Sequence, residues 1–309
     1  MTPRRAICGV RAIVIGSMLP CLAACGDEQL VIIEPPLDPL LEIQGTIDAS
    51  GADVGLYYRS LAPGDDSLTI DADVRMHAAS TMKVPVMMQL MLDDADGTLS
   101  LDDSIVVYNS FTSIADGSPY DIPRTADSDG VFWDQTGSSV SIRYAIDRMI
   151  QYSSNLATNI LVDLADPARI RATMAVVGAD SMDVLRGVQD LPAFNAGLSN
   201  TTTARSLGAV MVAVAESGLF QQTHRDEMVS ILEGQQFRDG IPKGLPVGTR
   251  VANKTGWITG ISHDAAIVYP PTGAPYVLVV MVRGHPAADQ GEAMTAHISS
   301  LVWTLHSIN

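Results

Sequence analysis

The stretch that decides the fold is His77-Ala-Ala-Ser-Thr-Met-Lys83, which leads into the apolar run Val84-Pro-Val-Met-Met-Gln-Leu-Met-Leu92. The apolar run is typical of a buried helix, with Ser80 and Lys83 at its start. In a helix, residues at this spacing lie about 60° apart on one face, so the amine can reach the hydroxyl. A serine at the first turn also has unpaired backbone N–H groups beside it. This arrangement suits an activated serine nucleophile with a lysine base.

Lysine is scarce in this chain, which has Lys83, Lys243 and Lys254 against sixteen arginines. Ser-x-x-Lys alone arises by chance about once in a chain of this length. Lys254, however, opens a second motif, Lys254-Thr255-Gly256. Arginine can carry a surface charge but cannot be deprotonated to act as a base. Two scarce lysines in two such motifs therefore favour a catalytic site over coincidence.

The N-terminal residues have the features of an export signal. Arg4 and Arg5 precede an apolar stretch over residues 12–22 that is too short to span a bilayer. Leu22-Ala-Ala-Cys25 resembles a bacterial lipobox, so we predict a signal peptide over residues 1–24 and lipidation of Cys25. An ordinary small-residue cleavage site is the alternative. We expect an exported protein, anchored by lipid on the periplasmic side of a bacterial membrane.

Composition excludes several classes of function. Cys8, Cys21 and Cys25 all fall in the N-terminal segment, so the domain must be stable without disulfides. The net charge is −16, and −19 without the three arginines of the signal segment, which argues against nucleic acid or other polyanions as partners. The six histidines show no zinc-binding spacing. We therefore expect no metal and no cofactor.

The rest of the chain indicates one α+β domain. Residues 25–45 contain Pro35, Pro36 and Pro39 and are predicted to be a flexible tether, and residues 46–309 the catalytic domain. Strands are predicted at 53–59, 67–74, 250–255, 264–269 and 276–282, and helices after Ser80 and at 141–150, 156–165, 167–177, 204–217, 223–234 and 288–306. The pattern predicts an antiparallel sheet built from both chain ends, flanked by helices, with a helical subdomain. Residues 109–138 lack periodicity and are predicted to form a surface loop near the cleft.

A third motif, Ser153-x-Asn155, lies between Ser80-x-x-Lys83 and Lys254-Thr255-Gly256. The three motifs in this order resemble those of the serine β-lactamases and penicillin-binding proteins, and in particular the class A β-lactamase catalytic domain. The resemblance extends over about residues 46–309. It implies the β-lactamase/transpeptidase-like fold and a hydrolase that opens β-lactam rings through an acyl-enzyme on Ser80.

The resemblance and the chemistry of the side chains agree on the acylation roles. Lys83 would act as the base for Ser80 if burial and the nearby Lys254 favour its neutral form. Ser153 would pass a proton to the leaving nitrogen, with Lys254 holding its hydroxyl. The alternative for Ser153 and Asn155 is a plain helix-capping pair.

The substrate contacts also follow from the resemblance. Asn155 would bond the amide of the substrate side chain, and Thr255 would help Lys254 to bind the substrate carboxylate. Gly256 would let the substrate lie against the strand edge. The N–H groups of Ser80 and Trp257 would form the oxyanion hole. His263 is a further candidate for holding the carboxylate, since no arginine follows Lys254 until Arg283.

Two departures from the class A pattern concern Ser154 and the deacylation base. Ser154 stands where the family commonly has an acid. The family also places a glutamate in the later loop, which here reads Arg186-Gly-Val-Gln-Asp-Leu-Pro-Ala-Phe-Asn195 and has none. Counting from Ser153 puts Gln189 or Asp190 at that position, whereas alignment on the proline and final asparagine puts Leu191 there. We predict Asp190 as the deacylation base, with a loop-capping aspartate as the alternative.

The sequence leaves two other functions open. With slow deacylation the enzyme would be a D-alanyl-D-alanine peptidase, a penicillin-binding protein or an esterase-like hydrolase. The non-enzyme alternative is a lipoprotein that binds β-lactams or peptidoglycan peptides. In each case we expect a small-molecule or peptide ligand, contact with the membrane only through lipidated Cys25, and a monomer.

Overall fold

The computed structural model describes residues 38–64, 67–285 and 287–308. The predicted signal peptide, Cys25 and the first part of the tether lie outside the described residues. The strands are β1 (Asp53–Ser60), β2 (Ser67–Ile70), β3 (Met76–His77), β4 (Ser104–Val106), β5 (Phe111–Thr112), β6 (Pro119–Tyr120), β7 (Ser139–Ser141), β8 (Thr201–Thr202), β9 (Arg250–Ile258), β10 (Ile261–Tyr269) and β11 (Tyr276–Arg283). The helices are α1 (Pro39–Ser50), α2 (Lys83–Ala95), α3 (Gly130–Trp133), α4 (Ile142–Gln151), α5 (Asn155–Ala165), α6 (Pro167–Val176), α7 (Leu191–Asn195), α8 (Ala204–Glu216), α9 (Gln222–Glu233) and α10 (Ala288–Ile308), with short 3₁₀ helices at Ala79–Met82, Arg124–Ala126 and Ile241–Gly244.

The main sheet has five antiparallel strands in the order β2-β1-β11-β10-β9. β1 pairs with β11 along its whole length, from Asp53 opposite Arg283 to Ser60 opposite Tyr276. The two ends of the chain therefore build one sheet, and the predicted α+β class is confirmed. β9 lies at one edge of this sheet, where its outer side is free to meet the helical part of the domain.

Each face of the sheet packs against its own group of helices. Val277 and Val279 of β11 point into the larger core, which also holds the buried residues of α2, α4, α5 and α8. Leu278 and Val280 point to the other face and pack with apolar residues of α1 and α10. Both faces are covered, which is why β11 reads as an unbroken apolar run rather than an alternating one.

Helix α1 corrects the predicted boundary of the tether. The side chain of Asp38 accepts from Leu40 N and caps the helix, and Pro39 occupies the first turn, where its missing N–H costs nothing. Ile43 and Ile47, one helical turn apart, are buried in the core beside α10. A flexible tether through residue 45 is therefore wrong for residues 39–45, because this segment buries an apolar face.

Helix α2 is the predicted central helix, and nearly every residue in it is buried. The chain enters it through the 3₁₀ helix Ala79–Met82, so Ser80 lies in a tight turn just before α2. Because α2 is apolar on most of its surface, it is stable only when the rest of the domain surrounds it. Within the described residues, no helix combines the length and the apolar character that a bilayer-spanning helix needs.

Candidate active site

A cleft of about 630 Å³ opens between the Ala79–Met82 turn, the start of α5, the loop over residues 186–200 and the end of β9. Ser80, Ser153, Asn155, Asp190 and Trp257 are among the residues that line it. The structure therefore brings together side chains that are separated by up to 177 positions in the sequence. The cleft also receives residues 125–128 of the predicted 109–138 loop, which consequently forms part of one wall.

Lys83 lies beneath this cleft and is completely buried. Its Nζ donates to Ser153 O at 2.6 Å, Ser153 Oγ at 3.1 Å and Asn155 Oδ1 at 3.0 Å. Burial is the main cause that holds the pKa of Lys83 well below its usual range, and the nearby Lys254 adds to it, whereas Asp127 opposes the shift. Burial and Lys254 thus both favour the neutral amine of Lys83, which is the form that a lysine base requires.

Ser153 Oγ is shared by the two lysines of the site. Lys254 is also completely buried, and its Nζ donates to Ser153 Oγ at 3.2 Å and to Thr255 O at 2.9 Å. Burial lowers the pKa of Lys254 to about 7, against the attraction of Asp264. A hydroxyl held between two amines can receive a proton on one side and release one on the other, which suits a proton relay.

Ser153 adopts a left-handed backbone conformation, with φ of +56°, which is strained for a residue with a side chain. Asp127, from the 109–138 loop, holds the segment that follows. Its Oδ2 accepts from Ser154 Oγ at 3.1 Å and from Leu156 N at 2.7 Å. Asp127 thus places a carboxylate beside position 154, where the family commonly has an acid, and Ser154 caps α5.

The donors of the predicted oxyanion hole lie where β9 meets the Ala79–Met82 turn. A Cβ on Gly256 would lie 2.8 Å from Ser80 N, so only glycine allows this contact. Ser80 N–H donates to no acceptor within the described residues, which leaves it available to a ligand. The ring of Trp257, 38% exposed, packs edge-on against Phe237 at 4.8 Å and lines the cleft.

Two predicted carboxylate-binding residues lie elsewhere. His263 is 2% exposed, its Nε2 bonds His77 O at 3.0 Å and its Nδ1 accepts from Val282 N at 3.1 Å. Both ring nitrogens are occupied by backbone atoms, so His263 has none left for the substrate carboxylate that it was predicted to hold, and burial lowers its pKa to about 4. Among the described residues, buried Thr255 Oγ1 has no hydrogen-bond partner, and Thr255 lines a separate small cavity behind β9 together with His263.

Asp190 lies in the cleft wall as predicted, but its carboxylate is already bonded. Oδ1 accepts from Ser113 Oγ at 2.7 Å and from Ala193 N at 3.1 Å, and Oδ2 accepts from Ile114 N at 3.1 Å. The residue is 1% exposed and caps α7. These contacts are those of the loop-capping aspartate that the sequence offered as the alternative.

The neighbouring candidates do not supply another acid. Gln189 is exposed at the cleft with φ of +63°, and Leu191 is 58% exposed beside it.

Within the described residues, no group of three His, Cys, Asp or Glu side chains could hold a metal ion.

Three cleft residues escaped the sequence analysis: Asp127, His77 and Arg186. The sequence contains one indirect hint of Asp127. The family commonly has an acid at position 154, where this chain has serine, so another segment could have been expected to bring a carboxylate there. His77 and Arg186 each stand at the first position of a quoted stretch. No spacing rule singles them out, because their neighbours in the cleft come from other elements.

The sheet and the helical part define a β-lactamase/transpeptidase-like fold. Solved structures with this fold include that of PBP-A, 22% identical with a TM-score of 0.74 over 89% of this chain and 98% of that one. A β-lactamase from Sphaerobacter thermophilus is 23% identical with a TM-score of 0.74 over 88% of this chain and 98% of that one. The sequence profile described as "Beta-lactamase enzyme family" matches residues 41–305. The chain belongs to the beta-lactamase enzyme family.

Individual relatives are distant in sequence. The β-lactamase of Amycolatopsis lactamdurans is 25% identical over 282 residues, which cover 87% of this chain and 86% of that protein. The β-lactamase of Bacillus licheniformis is 27% identical over 177 residues, which cover 56% of this chain and 58% of that one. The second match thus spans less than two thirds of the relative.

Proposed function

We propose that this protein is a serine hydrolase that forms an acyl-enzyme with β-lactams at Ser80 and is limited by deacylation. The observation that carries the proposal is Ser153 Oγ, which bonds the buried amines of both Lys83 and Lys254 at one wall of the cleft. The family supports a β-lactam substrate. A PBP-A variant related in fold has been solved as an acyl-enzyme with penicillin G.

In the proposed acylation, Ser80 Oγ attacks the lactam carbonyl carbon and its proton passes to the neutral amine of Lys83. A neutral amine has two N–H groups, so Lys83 can donate to only two of its three partners at a time, and its lone pair accepts the proton of Ser80. The Ser80 and Trp257 N–H groups stabilise the oxyanion. The C–N bond then breaks, and the nitrogen takes a proton from Ser153 Oγ, which regains one from a neighbouring amine.

Deacylation requires a base for water, and the cleft carboxylates are poorly suited to that role. Asp190 and Asp127 each accept three hydrogen bonds from protein donors. Each carboxylate would have to give up a protein hydrogen bond before its oxygen could take a proton from water. General-base catalysis is worth about 10²–10⁴-fold, so its loss makes hydrolysis of the acyl-enzyme the slow step.

Labelling with a fluorescent penicillin tests the acylation half of the proposal. We expect one covalent label per chain, whereas a non-catalytic binding lipoprotein would release the label on denaturation. Turnover of a chromogenic cephalosporin under the same conditions measures the second half. Slow turnover with nearly complete labelling supports the proposal, and the absence of covalent label contradicts it.

Replacement of Asp190 by asparagine tests whether this residue is the deacylation base or only a helix cap. Asparagine can still accept from Ser113 and Ala193 through one oxygen, but its amide cannot accept from Ile114 N. An unsatisfied buried donor costs about 1–3 kcal/mol of stability. We therefore expect a lower melting temperature for Asp190→Asn and an unchanged lifetime of the penicilloyl-enzyme, measured by chase after labelling.

A matched control for this variant is Asp166→Asn, because Asp166 also caps a helix, α6, and does not line the cleft. The acyl-enzyme lifetime of Asp166→Asn shows how much the loss of a helix cap alone changes this lifetime. A lifetime lengthened by about 10²-fold or more in Asp190→Asn alone would show that Asp190 is the base after all.

The pKa of Lys254 gives the affinity for substrate a pH dependence. With a pKa of about 7, Lys254 is a cation below pH 7 and loses its charge as the pH rises. We propose that the cation binds the substrate carboxylate, so the apparent dissociation constant of a penicillin should increase by up to about tenfold per pH unit above pH 7. Stopped-flow acylation from pH 6 to 9 separates this constant from the chemical step.

Lys254→Arg is the control for that pH profile, because arginine stays charged throughout the range. The variant should show a flat profile whatever its absolute affinity. A wild-type dissociation constant that does not change between pH 6 and pH 9 would exclude Lys254 as the titrating carboxylate ligand.

A further inference from the structure

Arg186, at the start of the 186–200 loop, is a buried cation with no direct ion pair among the described residues. It is 5% exposed, and its guanidinium donates to Leu198 O at 2.8 Å through Nε and to Gly187 O at 2.9 Å through Nη1. Within the described residues it forms no ion pair, and Nη2 donates to no protein atom. Nη2 is not sealed from solvent, and Arg186 is one of the residues that line the cleft. Buried charges are normally paired, which makes this donor unusual.

His77 supplies a second donor on the same side of the cleft. Its Nδ1 accepts from Ala79 N at 3.0 Å, so the neutral ring carries its proton on Nε2. Burial and the nearby Arg186 lower the pKa of His77, which favours the neutral ring. Nε2 has no acceptor within the described residues, and the residue lines the cleft.

Phe194 of α7 lies close to both groups. The His77 ring meets the Phe194 ring edge-on, with 6.1 Å between centroids. The Arg186 guanidinium carbon lies 5.9 Å from the centroid of the same ring. Asp190 attracts the guanidinium from a distance, but its oxygens are bonded to Ser113, Ile114 and Ala193, so it leaves Nη2 free.

The loop is also fixed beside the residue expected to bind the substrate side chain. Asn159, one turn after Asn155 on α5, accepts from Val188 N at 2.6 Å and donates to Val188 O at 3.0 Å. A Cβ on Gly187 would lie 2.5 Å from Asn159 Oδ1, so glycine is needed for this close packing. The Arg186 end of the loop is thereby held next to the end of the cleft where Asn155 would bond the acyl amide.

We propose that Arg186 Nη2 and His77 Nε2 form an anion subsite that binds a carboxylate in the acyl side chain of the substrate, separate from the carboxylate expected at Lys254. This inference rests on the proposed function and names its substrate class: β-lactams or peptides with a second acidic group in their acyl portion. Two N–H donors match the two oxygens of a carboxylate. Because the chain has a net charge of −16, a local cation is needed to hold an anion there.

Three penicillins that differ only at the side-chain α-carbon test the subsite: benzylpenicillin (hydrogen), carbenicillin (carboxylate) and ampicillin (ammonium). Second-order acylation rates are measured on the purified full-length chain. We expect carbenicillin to react about tenfold faster than ampicillin, which corresponds to one modest charge contact. In Arg186→Gln this ratio should fall to about one, while the rate with benzylpenicillin changes little.

Two further variants distinguish loss of the subsite from a disturbed 186–200 loop. His77→Asn removes the second donor without changing the loop, and Arg59→Gln is the control for net charge. Asparagine preserves an acceptor for Ala79 N and removes the Nε2 donor, so the ratio should fall in His77→Asn as well. Arg59 pairs with Glu216 and does not line the cleft, and Arg59→Gln makes the same change in net charge. A ratio that is the same in all four proteins would overturn the subsite, and so would an equal loss with all three penicillins in Arg186→Gln.

Binding of the free side-chain acids separates failure of the subsite from failure of the proposed function. Phenylmalonate and phenylacetate are titrated into the full-length chain and into Arg186→Gln by calorimetry. Tighter binding of phenylmalonate that is lost in the variant supports the subsite even if no penicillin acylates Ser80. Equal affinities for the two acids in the wild-type chain would overturn it.

Discussion

Ser80→Ala is expected to remove covalent labelling by penicillins, with a loss of more than about 10⁴-fold in the acylation rate. The removed hydroxyl is the only group of Ser80 that the proposed chemistry consumes, and it makes no hydrogen bond to the protein within the described residues. The free energy of unfolding of the variant should therefore stay within about 0.5 kcal/mol of the wild-type value, and its melting temperature should hardly change. Gel fluorescence after denaturation measures the label, and thermal melting checks the fold.

Ser128→Ala is the matched control, because Ser128 also lines the cleft and its hydroxyl is bonded to Tyr152 O and Ser153 O instead. Labelling should persist in that variant. Persistent labelling in Ser80→Ala would mean that a different side chain is the nucleophile, and the assignment of the cleft would have to be abandoned.

Lys83→Met should slow acylation by about 10²–10⁴-fold, the usual contribution of a general base. Methionine fills much of the same buried volume but leaves Ser80 without a proton acceptor. Lys83→Arg should be impaired to a similar degree, because an arginine keeps the charge but cannot be deprotonated. The measurement is the second-order acylation rate with benzylpenicillin near pH 8.

Lys243→Met provides the control that this chain offers, since Lys243 is 64% exposed and pairs with Asp239 on the surface. An exposed pair of this kind contributes about 0–1 kcal/mol, so acylation should be unchanged. If Lys83→Arg kept the wild-type acylation rate, Lys83 would act through its charge and not as a base.

Much of the fold could be predicted from periodicity. The apolar stripe of α4 and the apolar runs of β10 and β11 were located to within a few residues, because burial on one or both faces imposes these patterns. The motifs of Ser80, Ser153 and Lys254 were likewise visible in the sequence, although Ser80 and Ser153 lie just before helices and Lys254 lies in the middle of β9. The contacts of Lys83 and Lys254 with Ser153 Oγ could be expected from the resemblance to a known family.

The sequence failed where tertiary contacts decide a residue's role. Ile43 and Ile47 lie in a short segment next to prolines, and only the docking of α10 makes them core residues. His263 could be taken for a ligand because the sequence does not show that both its nitrogens bond backbone atoms. Burial cannot be inferred from a single histidine in a strand.

The deacylation base shows the same limit at the site itself. Asp190 was the one carboxylate in its loop, but Ser113 and Ile114, which occupy its oxygens, come from a loop nearly eighty residues earlier. Asp127 was hidden in the same earlier loop. Export and lipidation of Cys25 stay predictions, since these residues lie outside the described part of the chain.

The central claim is that acylation at Ser80 is complete while deacylation is slow, and intact-protein mass spectrometry during turnover tests it most directly. The full-length chain is mixed with excess benzylpenicillin and quenched in acid from milliseconds to minutes. We expect rapid accumulation of one penicilloyl adduct on nearly every molecule, mapped to Ser80 by peptide analysis, followed by slow loss after the penicillin is consumed. Steady hydrolysis with no accumulated adduct, or an adduct on another residue, would contradict this account.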